Sequence, residues 1–176
     1  MNEQYWLNIC RAVGANSKCL SRKIGAVIVK DNYIISTGYN GPPIKCKHCD
    51  DYYYRRLIFA LAHSDGVRFD STTDDNTICP RRIMGFESGQ GMAYCSAAHA
   101  ERNAISTAAK LGHSTEGTTM YLDWIIPCFE CAKSIINAGI KTVVVVKLED
   151  YEKEGITGRY LLEQAGVKLR EYDFEG

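Results

Sequence analysis

An α/β domain built on a mixed sheet layered by helices is what this sequence predicts, and three observations predict it. A short β-hairpin pattern opens the chain. Three strand-and-helix alternations follow in its second half. The run "KTVVVVK" is β-branched and long enough for a strand buried on both faces.

The elements follow in order. From Glu3 to Ala15, Tyr5, Leu7, Ile9, Ala12 and Val13 fall loosely on one helical face. "KIGAVIVKDNYIISTGYNG" reads as two strands, Ile24–Val29 and Tyr33–Thr37. Asp31-Asn32 between them tolerates hairpin-turn dihedrals. Gly41 and two prolines in "GYNGPP" end the pairing. "HAERNAISTAAKLG" suits a buried helix through Ala100, Ala104, Ile105, Ala108 and Leu111, closed by Gly112. "TTMYLDWII" alternates as a strand. "PCFECAKSIINAG" is a helix with Pro127 in its first turn and Gly139 at its C-terminal cap. After "KTVVVVK", "ITGRYLLEQAG" and "VKLREY" add one more helix and strand.

Between about residues 44 and 95 the periodicity weakens to one short helix, Asp51 to His63, and the polar stretch "SDGVRFDSTTDDNT". This region reads as an insertion within a single domain spanning residues 1–176. No internal repeat is visible.

A chain of 176 residues can bury a real core. Basic and acidic residues number 21 each, which removes any global attraction for nucleic acid or an anionic membrane. The opening "MNEQYWLNICRAVG" lacks a signal-peptide layout, and no apolar run approaches the roughly 20 residues a bilayer requires. The expectation is a cytoplasmic protein. In that compartment eight cysteines point to metal binding or chemistry rather than disulfides.

Two short motifs carry that chemistry. A hydrolytic zinc ion takes three protein ligands and keeps a fourth position for water. His99 with Cys128 and Cys131 would supply one nitrogen and two thiolates, from two helix N-termini facing one ion. Backbone N–H groups there favour the thiolates. Glu101 then need not be a ligand: it reaches the bound water and carries its proton to a leaving group. Taken singly, the histidine reads as a cap, the glutamate as helix-dipole decoration and the CxxC as a redox or structural pair. Together, as H-x-E followed by P-C-x-x-C, they are the signature of zinc nucleobase deaminases.

The sequence thus resembles the zinc-dependent cytidine/deoxycytidylate deaminases, above all the deoxycytidylate branch of T-even-like phages. The resemblance rests on "SKCLSRKIGAVIVKDNYIISTGYNGPP", "HAERNAISTAAKLG", "GTTMYLDWIIPCFECAKSIINAGIKTVVV" and "YLLEQAGVKL". It implies a cytidine-deaminase-like three-layer α/β/α sandwich. The implied reaction hydrolyses dCMP to dUMP and ammonia with a zinc-activated water, supplying dUMP for thymidylate synthesis. Glu101 would protonate the ring nitrogen and then the departing amine. The Ala100 N–H would bond the pyrimidine carbonyl and Asn40 the sugar; on residue type alone, Asn40 is a turn asparagine. Lys110 stands where related phage enzymes carry a nucleotide-selecting arginine, and lysine lacks that residue's bidentate fork. Its plain reading is a solvated helix face. Tyr151 is a further candidate for substrate contact. Trp124 and Ile126 stand before Pro127, where relatives often have a small hydroxylic residue. There a backbone carbonyl could receive the amine and Trp124 could stack on the base.

The resemblance also implies a second, structural zinc held by Cys19, Cys49, Cys79 and Cys95, with Cys46 and His48 as alternatives to Cys49. Cys10 reads as core. By the same resemblance the protein is a homo-oligomer, a hexamer, activated by dCTP with Mg2+ and inhibited by dTTP, with the effector near Asn40 and Gly41. If phage-encoded it would act in the host cytoplasm. Rival readings are a deaminase of nucleic acid, deoxycytidine or dCTP, and a non-catalytic zinc-stabilised interaction module. The balanced charge argues against the first and Glu101 against the last.

Overall fold

The computed structural model describes residues 2–174. Its contacts divide the chain into two compact units. One comprises the chain up to Ser17, Ile24–Asn40, and everything from His99 onward; the other comprises Lys18–Lys23 and Gly41–Ala98.

The larger unit holds helix α1 (Glu3–Gly14) and the hairpin strands β1 (Gly25–Lys30) and β2 (Tyr33–Tyr39). The smaller unit contributes α2 (Tyr52–Ser64) and the single-turn α3 (Pro80–Ile83). The larger one then continues through α4 (Ala100–Leu111), β3 (Thr119–Leu122), α5 (Phe129–Asn137), β4 (Thr142–Val145), α6 (Gly158–Gln164) and β5 (Lys168–Glu171). The sheet order is β2-β1-β3-β4-β5. β1 runs antiparallel to β2 and β3, while β3, β4 and β5 are parallel, so the sheet is mixed as expected.

Asp31 and Asn32 both take positive φ, 49° and 64°, the left-handed pair that a two-residue hairpin demands. Central strands are buried on both faces, and their alternation sorts residues into two cores. Ala26, Ile28, Met120, Leu122, Val143 and Val145 point to the side of α4, α5 and α6, meeting Ala100, Ala104, Ala132, Ile135 and Leu162. Val27, Val29, Tyr121 and Val144 point the other way, to Trp6, Leu7 and Cys10 of α1 and to Tyr172. Helices therefore cover both faces of the sheet, giving the three layers.

Some details differ from the sequence expectation. The buried face of α1 is Trp6, Leu7, Cys10 and Gly14, with Ile9 and Val13 at its margin and Tyr5 48% exposed. The stacked rings of Trp6 and Tyr121, 5.4 Å apart, set that rotation. On α4, Ala100, Ala104 and Ala108 form the buried line, while Leu111 lies outside it, exposed. Small residues are needed because the helix backbone lies close against β2 at Gly38. β3 does not alternate polar with apolar: Met120, Tyr121 and Leu122 are all buried, and the strand stops before Trp124.

The smaller unit has its own core of Ile58, Phe59, Ala62 and Met84. Its chain pieces are joined by Arg22 donating to Ser88 Oγ at 2.8 Å. Arg55, 1% exposed, is its organising cation. It pairs with the Asp74 carboxylate and donates to the carbonyls of Cys49, Ile78 and Asp75 at 2.9, 3.0 and 2.8 Å. A buried guanidinium is tolerable only with its donors engaged in this way.

Candidate metal centre and active site

α4 and α5 each begin at a residue of the expected ligand set. His99 is the N-cap of α4 and Cys128 the N-cap of α5, neither using its side chain as a cap. Pro127 therefore precedes the cap instead of occupying the first turn, and its ring ends the incoming loop. Cys131 follows Cys128 within that turn. His99 Nδ1 stands 3.4 Å from the sulfurs of both cysteines. Among the described residues this is the group of histidine, cysteine and acidic side chains whose ligand atoms all lie within 4.8 Å of one another.

The electrostatics fit a cation. The Cys131 thiol donating to it pulls the Cys128 thiol well below its ordinary value against its burial, with His99 adding to the pull. Cys131 is pushed up, since it donates to that sulfur and is buried. The Cys128 sulfur, and then Glu101, hold the His99 imidazole above its ordinary value, against burial. Two buried thiols and an imidazole nitrogen at this spacing match the soft donor set of tetrahedral zinc. His99, Cys128 and Cys131 form a zinc site.

Glu101 is 7% exposed, in the first turn of α4. Burial pushes its carboxyl up, opposed by His99. Ala100, at the first position of α4, has a backbone N–H of the first-turn kind that has no intrahelical acceptor. The Tyr151 ring lies 6.1 Å from that of His99, tilted by 60°. These three gather with the metal ligands.

Other expected residues are placed differently. The Ile126 side chain belongs to the core beside β3, which leaves its backbone for any substrate contact. Trp124, half-buried, accepts from Val146 N through its carbonyl at 2.9 Å. Asn40 is buried, and its Oδ1 accepts from Ile24 N at 2.8 Å while its carbonyl accepts from Ser17 Oγ at 2.6 Å. It is therefore tied into the chain as a structural asparagine, whatever else its amide does. Lys110 is exposed in the last turn of α4, about 14 Å along the axis from Glu101. Gly41 exchanges backbone hydrogen bonds with Ala98, at 3.1 and 2.9 Å.

In the smaller unit Cys19, Cys49, Cys79 and Cys95 line one pocket together with His48 and Arg81. Cys46 is exposed and does not line it, while His48 Nδ1 is 3.4 Å from Cys49 Sγ. Burial, and then the neighbouring Cys19, Cys79 and Cys95, push the Cys49 thiol up to about 11. These sulfurs do not close to the spacing of the His99 group. His63 stacks on Phe69 at 4.2 Å and Cys10 donates to the Tyr121 carbonyl, both structural.

Sequence reasoning missed Glu152. It accepts from the N–H groups that open α5 and α6. A lone glutamate in the polar run "EDYEKEG" carries no periodic or motif signal.

Comparison with known proteins agrees with this geometry. The family described as "Cytidine and deoxycytidylate deaminase zinc-binding region" matches residues 1–147. The deoxycytidylate deaminase of Enterobacteria phage T4 is 37% identical over 175 residues, covering 93% of this chain and 86% of its own. That of phage T2 is 36% identical over 172 residues, covering 93% and 88%. In fold, the chain is similar to the dCMP deaminase of cyanophage S-TIM5, with TM-score 0.61 and 22% identity over 96% of this chain and 95% of that one. The matched span takes in both His99-x-Glu101 and Pro127-Cys128-x-x-Cys131, and the chain belongs to the zinc-binding cytidine and deoxycytidylate deaminase family.

Proposed function

We propose that this protein deaminates dCMP to dUMP and ammonia. The observation that carries the reading is the 37% identity to the T4 deoxycytidylate deaminase across 93% of a chain whose His99, Cys128 and Cys131 converge. His99, Cys128 and Cys131 would hold the zinc, which when bound would supply a water acidic enough to act as nucleophile near neutral pH. Glu101 would take one proton of that water and place it on the ring nitrogen as the water oxygen bonds to the neighbouring amine-bearing carbon; it would then carry the remaining proton of the new hydroxyl to the amine, which leaves as ammonia when the C–N bond breaks. A buried carboxyl in the first turn of α4, two residues from His99, is placed for both halves of this exchange. The Ala100 N–H orients the pyrimidine carbonyl, and the Tyr151 ring walls the site beside His99. Asn40 contacts the sugar through its amide nitrogen. The Trp124 ring and the Ile126 backbone border the base, and Lys110 could serve a phosphate only across an assembly of chains.

The reading takes residues 1–176 as one deaminase domain with an insertion at about 44–95. A second zinc in the smaller unit would use the thiolates of Cys19, Cys49, Cys79 and Cys95. Their shared pocket supports it, with His48 as the alternative donor. Activation by dCTP with Mg2+, inhibition by dTTP, a hexameric assembly, an effector site at Asn40 and Gly41 and a cytoplasmic location are supported by the family resemblance. Among the described residues no helix is long and apolar enough to cross a membrane.

The deciding experiment measures ammonia release by the zinc-loaded protein from dCMP, deoxycytidine and dCTP, each with and without dCTP-Mg2+ or dTTP. Turnover of dCMP, raised by dCTP and lowered by dTTP, is the expected result. Turnover of deoxycytidine or dCTP alone overturns the substrate assignment, and an unchanged rate with either effector overturns the regulation.

A further inference from the structure

The segment between β4 and α6 is fastened on both sides of Tyr151. On one side Asp150 accepts from Arg159 Nε at 2.9 Å, and the same guanidinium donates to the Leu148 carbonyl at 2.9 Å. On the other, one oxygen of Glu152 accepts from the backbone N–H of Phe129, and its second oxygen accepts from that of Gly158 at 3.1 Å. Phe129 opens α5, directly after Cys128, and Gly158 opens α6. Both N–H groups are first-turn donors without intrahelical partners. Cys128 provides no side-chain cap. A carboxylate from 23 residues further on therefore does the capping, where the helix dipole favours negative charge.

The fit is close. A Cβ on Gly158 would stand 1.9 Å from the Pro127 carbonyl oxygen, so the start of α6 lies against the peptide that precedes the first thiolate ligand. One carboxylate thus ties together the turn carrying Cys128, the start of α6 and the residue adjoining Tyr151.

We propose that Glu152 is a positioning residue of the zinc site, fixing the Cys128 turn to α6 and, with Asp150, holding Tyr151 beside His99. The proposal rests on the preceding functional reading only in taking His99, Cys128 and Cys131 as the zinc ligands. A carboxylate is required because it offers two acceptor oxygens. Glutamine offers one and alanine none.

The test uses the full-length zinc-loaded protein and its Glu152→Ala and Glu152→Gln variants. Thr157→Ala serves as a control: Thr157 caps α6 alone, accepting from Tyr160 N at 3.2 Å. Three quantities are read: the rate at which a chromophoric chelator strips zinc, the absorption spectrum of the cobalt-substituted site, and kcat and KM separately. Removing an outer partner of a metal ligand changes metal affinity by about 10- to 100-fold. Glu152→Ala is expected to release zinc at least about tenfold faster with an altered cobalt spectrum, Glu152→Gln to fall between, and Thr157→Ala to stay within about twofold. Tyr151, freed on one side, would raise KM. Wild-type zinc release and spectrum in Glu152→Ala overturn the proposal, as does equal acceleration by Thr157→Ala. If Glu152→Ala does not fold, Glu152→Gln is judged by the same criteria. Should the wild type fail to turn over dCMP, the chelator and cobalt arms still decide the role of Glu152, and the substrate assignment alone falls.

Discussion

A Cβ placed on Gly38 would stand 2.2 Å from the backbone nitrogen of Ala104 and 2.4 Å from the Ala100 carbonyl oxygen. The hairpin and the helix that begins at His99 therefore meet backbone to backbone. Gly38→Ala must push α4 away from β2, and overpacking of this kind costs about 1–3 kcal/mol. The expected outcome is a lowered urea midpoint together with a loss of turnover, because the shift moves His99 and Glu101 relative to Cys128. A variant that loses stability but keeps wild-type kcat/KM would show that the helix start is held independently of this contact.

Glu101→Gln keeps the shape of the side chain and removes its ability to take a proton. Turnover should fall by about 10²- to 10⁴-fold, the range associated with a positioned acid or base. Zinc bound at the His99 site, measured by metal analysis, should be unchanged. Stripping that zinc with a chelator should abolish activity reversibly, with recovery on adding the ion back.

Glu3 joins the two ends of the larger unit, pairing with Arg170 and accepting from Asp173 N at 2.6 Å. Burial opposes ionisation of Glu3, but Arg170 and the Asp173 N–H outweigh it and hold its pKa below the ordinary 4.5. A depressed carboxylate stabilises the fold above its unfolded pKa, and the contribution fades as the pH falls through the folded value. Glu3→Gln should therefore be less stable than wild type at pH 7, by about 1 kcal/mol for a partly exposed ion pair of this kind. The two urea midpoints should converge in acid, below pH 4.5. A gap that persists there would mean that the pair acts through packing rather than charge.

Arg55→Ala should break up the smaller unit. It leaves the Asp74 carboxylate and the carbonyls of Cys49, Ile78 and Asp75 without their shared donor. Removing one partner of a buried pair costs about 3–5 kcal/mol. Limited proteolysis is expected to cut within residues 66–78 in the variant, at protease levels that spare the wild type. Arg55→Lys should give little rescue, since an ammonium group cannot reproduce the fork.

The zinc centre was legible because its parts are local. His99 and Glu101 share one helical turn, Cys128 and Cys131 another, and helix-start chemistry explains both. The valines of β4 were legible for a similar reason, since a strand covered on both faces has no polar side to hide. Elsewhere the deciding partner lies far off in sequence. Which face of α1 is buried depends on Tyr121 stacking on Trp6. Arg55 looks like a solvated helix charge until Asp74 and three carbonyls surround it. Glu152 gains its meaning from Phe129 and Gly158, which nothing in its own neighbourhood announces.

The pairing of β1 with β3 brings residues 26–29 against 119–122, and the whole of Gly41–Ala98 lies in the chain between them. Closing a loop becomes only slightly less favourable as the loop lengthens, by about 0.6 kcal/mol for each doubling. The intervening segment is therefore free to grow or shrink over evolutionary time with little penalty to the finished sheet. The burden falls on time instead. Contacts so distant form slowly, and until β3 has been made and finds β1, the inner edge of the hairpin is left open to pairing with the wrong strand.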